Sequence, residues 1–170
     1  MKGRLPYLLL VIAVVALDLW TKRLVLANFM LHESREIIPD FFRLVYVQNT
    51  GAAFGLGSGA ASPLVPLLLS GGAIAVFFIV VLYSFRTAIS DRLLQTGLHL
   101  ILGGAIGNLI DRFRFGWVVD FLDFYVTIGG REHHWPAFNV ADSAISVGIG
   151  LLLLDMLRKP AKASEASRAS

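Results

Sequence analysis

The chain has 170 residues, 56% of them hydrophobic and only 16% charged, with a formal net charge of +3 and no cysteine. That length is one domain, and soluble domains usually carry about a quarter charged residues, so this composition is that of a membrane protein. The lack of cysteine excludes disulfides, thiolate catalysis and Cys-based metal sites; the basic residues are spread rather than gathered in a patch, which excludes nucleic acid and suits loops facing an anionic leaflet.

In chain order, the first apolar segment covers residues 5–28 and begins LPYLLLVIAVVALDLW. At about 1.5 Å of rise per residue it can cross a hydrocarbon core of about 30 Å. Its basic start, MKGR, and the small residues Val14, Val15 and Ala16 also resemble a cleavable signal peptide. The apolar run continues past that point, however, and Asp18 and Lys22 are too specific to be debris behind a cut, so the segment is read as a span. The connection at 33–58 contains a β-like run, 41–48, between Pro39-Asp40 and a group of glycines. A short curved sheet, a β-cradle lying on the outer membrane surface, is expected there.

The second span, 63–85, and the third, 93–112, follow, the apolar stretches of both being uncharged up to Asp111. The connection after them mixes FGWVVDFLDFYV with GGREHHW; its Trp and Tyr suit the interface, and a short interfacial helix or loop is expected. The fourth span, 137–157, contains FNVADSAISVGIGLLLLDML, and the tail, 159–170, has a disordered composition. There is no internal repeat. The expected fold is therefore mainly α, a single membrane-embedded domain of four transmembrane helices with a small extracytoplasmic β-cradle. Lys and Arg are densest in the two termini and the short 86–92 loop. Both termini are accordingly expected on the cytoplasmic side of the membrane.

Depth then sorts the polar residues. Asp18 lies about 20 Å along the first span, in the outer leaflet, with Lys22 one turn on. The third span ends outward at Asn108, Asp111 and Arg112, with Asp120 close behind, and Asn139 and Asp142 open the fourth. Asn49 lies in the outer loop. Polar residues from four parts of the chain converge on one thin slab. Asp18 with Lys22 reads equally as an intrahelical ion pair, Asp111 as an interfacial helix end, Asn139 as a helix cap, and Asp155 with Arg158 as a surface pair. Asp142 resists such a reading, because an ionisable residue within a span costs at least about 2.5 kcal/mol and normally marks a functional site.

There is no HExxH motif, and the adjacent His133 and His134 would point apart on a helix, so no metal or other cofactor is expected. Ser58 has no His or Lys at suggestive spacing. Aspartates remain. Two carboxylates held close share one proton, so that one form accepts a proton from water while the other donates to a carbonyl. That is peptide hydrolysis without a covalent intermediate. Asp142 is one member; Asp120 and Asp123 qualify equally as the other, their spacing placing them on nearly the same side of a helix.

The segments LDLWTK (17–22), NTGAAFG (49–55), GGAIGNLIDR (103–112), VVDF (118–121) and FNVADSAI (138–145) resemble, in order, the motif set of bacterial lipoprotein signal peptidases, also called signal peptidase II. The resemblance implies a four-helix aspartyl membrane peptidase whose catalytic aspartates are Asp120 and Asp142. It implies substrate-binding or dyad-supporting roles for Asp18, Lys22, Asn49, Gly51, Asn108, Arg112, Asn139 and Ala141. It also implies prolipoprotein substrates carrying a diacylglyceryl cysteine, which arrive from membrane lipid, and a monomer suffices. A transporter or proton relay would spread carboxylates across the membrane depth. A GxGD-type peptidase would need Asp where GIGL carries Leu151, and a structural scaffold gives no reason for the shared depth.

Overall fold

The computed structural model describes residues 3–51 and 64–158, with side chains from residue 70 onward in the second helix. Residues 52–58 of the expected cradle, Ser58 among them, and the tail at 159–170 lie outside the described residues. Four helices appear where apolar runs predict them: α1 (Leu5–Asn28), α2 (Leu64–Arg86), α3 (Arg92–Phe115) and α4 (Val140–Arg158). Among the described residues, α3 and α4 are each long and apolar enough to cross a membrane by length and composition.

The packing inverts that of a soluble bundle. α3 is central and contacts the other three helices, while α1, α2 and α4 turn Leu9, Ile12, Phe78, Ile79, Leu153 and Leu157 outward. An apolar exterior of this extent needs an apolar surrounding. Val80, Leu94, Leu98, Ile101 and Leu102 fill the α2–α3 seam. The α3–α4 seam is closed by glycine. A Cβ on Gly104 would fall on the Ala141 carbonyl oxygen and lie 2.7 Å from Ile145 Cγ1. Gly104→Ala is therefore expected to cost about 1–3 kcal/mol by overpacking, read as a lower thermal midpoint in detergent. An unchanged midpoint would show that the seam yields.

Four strands, β1 (Ser34–Ile38), β2 (Phe42–Asn49), β3 (Val118–Ile128) and β4 (Arg131–His134), form an antiparallel sheet in that order. The expectation of an interfacial helix or loop between α3 and α4 is thus corrected. VVDFLDFYVTI is rich in β-branched and aromatic residues, and β2 offers it a hydrogen-bonding edge from Asn49↔Val118 to Phe42↔Phe124. The sheet is consequently shared by the α1–α2 and α3–α4 connections rather than built from the first alone. Gly116, at φ 84°, caps α3 by donating its N–H to the Arg112 carbonyl and turns the chain into β3. A second core of Val25, Tyr46, Val119 and Phe121 binds the sheet to α1.

Candidate active site

Asn139 immediately precedes α4, and its side-chain Oδ1 accepts from the Asp142 amide at 2.9 Å. Asp142 Oδ2 in turn accepts from the Asn139 amide at 3.3 Å. This is the reciprocal geometry of a capping box, with Asn at the cap and Asp three residues on. The cap reading of Asn139 and its functional reading are therefore one arrangement: the bonds that start the helix also aim Asp142. The helix N-terminus adds a positive potential that favours negative charge there.

Asp120 comes from the other direction, on β3, and is 1% exposed. Asn139 Nδ2 donates to its Oδ1 at 2.7 Å, and Asn49 Nδ2, from the end of β2, donates to its Oδ2 at 2.9 Å. The Gly51 amide fixes Asn49 by donating to its Oδ1 at 2.8 Å. Asn108 closes the circuit: its Nδ2 donates to Asp142 Oδ1 at 2.7 Å, and its Oδ1 accepts from Asn139 Nδ2 at 3.2 Å. Two carboxylates, one from a strand and one from a helix, thus hang on one asparagine frame. Burial pushes the Asp120 carboxyl up to about 7. The Asn49 and Asn139 donors pull it down, and the nearby Asp142 charge raises it. Near neutral pH Asp120 can hold a proton.

Asp123 is excluded from this frame. The two aspartates do not share a helix face, as had been expected, because they lie on a strand, where an odd spacing sends side chains to opposite faces. Asp123 instead receives Arg43 Nε at 2.7 Å and lies 3.0 Å from His134 Nδ1. His134 and Glu132 complete that surface cluster, Glu132 Oε2 standing 3.2 Å from Arg43 Nη1.

Below the dyad, Lys22 is 2% exposed. Its Nζ is 2.7 Å from Asp18 Oδ2, 2.9 Å from Asp111 Oδ2 and 3.1 Å from Asn108 Oδ1. The ammonium thus meets two carboxylates and one amide oxygen, so the pair is no mere intrahelical bridge. Asp18 Oδ1 also accepts from the Ala141 amide at 2.9 Å, satisfying an open N–H in the first turn of α4. Asp111 Oδ2 accepts from the Val119 amide at 3.1 Å and so anchors the strand beside Asp120. The interfacial reading of Asp111 gives way to this buried role. Asp155 is likewise buried.

Of the residues expected at the site, Asp18, Lys22, Asn49, Gly51, Asn108, Asp120, Asn139, Ala141 and Asp142 form this connected set. Arg112 does not join it. Among the described residues its guanidinium makes no hydrogen bond or ion pair with either aspartate, and its backbone carbonyl accepts from the Gly116 amide at the α3 cap. Gly107 was missed from sequence. A Cβ there would lie 2.5 Å from Asp18 Oδ2, so its bare backbone makes room for the Asp18 carboxylate. The signal was the small-residue spacing of GGAIG, which announces close helix approach without saying what approaches.

Comparison with known proteins gives this arrangement its context. Residues 10–158 match the model of a family described as signal peptidase (SPase) II. A lipoprotein signal peptidase of Syntrophotalea carbinolica is 49% identical over 152 residues, covering 89% of this chain and 90% of that protein. One from Syntrophus aciditrophicus is 44% identical over 146 residues, covering 86% and 88%. A solved bacterial membrane enzyme superposes with a TM-score of 0.77 at 29% identity, covering 94% of this chain and 92% of its own. With a family match over most of its length and relatives this similar, the chain belongs to the signal peptidase II family of membrane peptidases.

Proposed function

We propose that the chain removes signal peptides from diacylglyceryl-modified prolipoproteins, hydrolysing the bond on the N-terminal side of the lipidated cysteine with Asp120 and Asp142 as an aspartic dyad. The observation that carries this reading is the joint suspension of both carboxylates on Asn139 and Asn108. Asp120, which burial inclines to hold a proton, gives it to the scissile carbonyl oxygen. Asp142, held at the positive end of α4, takes a proton from water as the water oxygen bonds to the carbonyl carbon. Collapse of the tetrahedral intermediate breaks the C–N bond as Asp142 passes the proton it took to the departing cysteine amine and Asp120 recovers its own from the intermediate's hydroxyl, leaving the new carboxyl. The remaining members act on geometry: Asn49, Gly51, Asn108 and Asn139 aim the carboxylates, and Asp18, Lys22 and Ala141 hold α1, α3 and α4 in register. Arg112, outside the frame, is available to substrate.

In this reading α1 to α4 each cross the membrane as one domain, both termini are cytoplasmic, and the dyad and sheet lie at the extracytoplasmic face. A lipidated substrate then arrives sideways from the bilayer, where each buried CH₂ contributes about 0.8 kcal/mol. The protein works as a monomer and needs no metal. The test compares a lipobox peptide with and without its diacylglyceryl group, in the presence of EDTA. Cleavage of the lipidated form only is expected; equal cleavage of both, or loss with chelator, would contradict the reading.

The Asn49 bond gives a second check. A donor to the charged carboxylate lowers its pKa, so removing it raises that of Asp120. In Asn49→Ala the alkaline limb of activity, expected where Asp120, pushed up to about 7, loses its proton, should move upward by about one unit, the worth of one hydrogen bond to a charged group. A pH–rate profile reads this directly. A limb that stays in place would take the proton away from Asp120.

A further inference from the structure

Far from the dyad, α1, α2 and α3 enclose a groove of about 290 Å³ lined by Leu8, Val11, Phe77, Val81, Leu102 and Ile106. It opens outward past Leu8 and Phe85, which are 53% and 66% exposed. Arg4 lines its end, just before α1 begins and about 20 Å along the helix axis from Asp18. The Arg4 guanidinium donates to the Ser84 carbonyl at 3.3 and 3.4 Å and to Ser84 Oγ at 3.3 Å, and lies 4.5 Å over the Phe85 ring. Among the described residues these partners are all uncharged. Exposed Arg86, in the last turn of α2, adds a second cation at the same end.

A half-buried cation whose partners among the described residues are all uncharged, set at the end of an apolar groove, is complementary to an amphiphile with an anionic head and a hydrocarbon tail. The groove holds about ten groups of water size, at about 30 Å³ each. That suits a stretch of acyl chain and is too small for even one turn of a helix about 10 Å across. A signal peptide is further disfavoured because its own N-terminal region is basic and would meet Arg4 with like charge. We propose that this groove binds an anionic glycerophospholipid, one acyl chain lying between α1 and α2 and the phosphate on Arg4. Under the orientation proposed above, the lipid comes from the cytoplasmic leaflet. By holding Arg4 and Ser84 together, it braces the α1–α2 end of the bundle, where Gln95 of α3 also bonds Ser84.

The test uses the full chain in neutral detergent, with native mass spectrometry reading retained lipid. Dioleoylphosphatidylglycerol is expected to be retained about fivefold over dioleoylphosphatidylcholine, the effect of one basic side chain on an anionic lipid. Arg4→Gln should bring the ratio to about one. Leu8→Trp, which keeps the charge and fills the groove, should lower retention of phosphatidylglycerol by about the same factor, and it tests the site even if Arg4→Gln does not fold. Inorganic phosphate at millimolar concentration should not displace the lipid. Equal retention of the two lipids, retention of phosphatidylglycerol that is unchanged in Leu8→Trp, or displacement by phosphate would each overturn the proposal. None of these readouts depends on cleavage, so they stand or fall apart from the dyad.

Discussion

Asp120→Asn and Asp142→Asn are each expected to lower cleavage of a lipidated substrate by at least about 10²–10⁴-fold, the range of a positioned acid or base, while the protein still folds. The two should differ in stability. Asp120 titrates at about 7 in the native state against 3.8 for an unperturbed aspartate. Below about pH 4 both states keep the proton and the carboxyl imposes no cost. As pH rises from about 4 to about 7 the unfolded chain ionises while the native state does not, so the native state loses ground, and above about 7 the full penalty is present. At about 1.36 kcal/mol per unit this comes to roughly 4 kcal/mol. Asparagine removes it, less about 1 kcal/mol for the Asn49 bond that an amide no longer receives well. Asp120→Asn should thus melt higher than the native protein at pH 8 and close to it at pH 4. Substantial residual cleavage in either variant would sink the dyad, and a lower melting point for Asp120→Asn at pH 8 would contradict its buried carboxyl.

Lys22→Met is expected to be the most damaging change to folding. It leaves Asp18 and Asp111 buried without their cation, and breaking a buried ion pair from one side costs about 3–5 kcal/mol. For a chain of this size that is a fall of roughly 10 °C in thermal midpoint. The triple variant Lys22→Met, Asp18→Asn, Asp111→Asn removes the stranded charges and should recover part of that fall. Its activity should stay low, because Asn108 loses its Lys22 bond and with it some of its hold on Asp142. A midpoint within about 2 °C of the native protein in the single variant would mean that the ammonium is not the hub its three contacts describe.

Much of this organisation is written in the chain itself. Apolar length marks the four helices, because burial of backbone polar groups in lipid leaves a helix few alternatives. The ordered motifs carry the family, and rise per residue brings Asp18, Asn108 and Asp142 to one level. What periodicity could not assign was the Asp120–Asp123 segment. A strand in that place depends on β2, some 70 residues earlier, offering an edge, and no local pattern records a partner so distant. Once β2 is present, the two-residue alternation sends Asp120 to the asparagine frame and Asp123 to Arg43 and His134. The same holds for Lys22. Its spacing announces Asp18, one turn away, but only the packing of α1 against α3 adds Asp111 and Asn108 and makes a surface-type pair into a buried hub. The sequence by itself determined which residues belong near one end of the bundle, since depth follows from helix length. The tertiary structure decided which carboxylate faces which, since that depends on strand pairing and helix contacts between residues far apart in the chain.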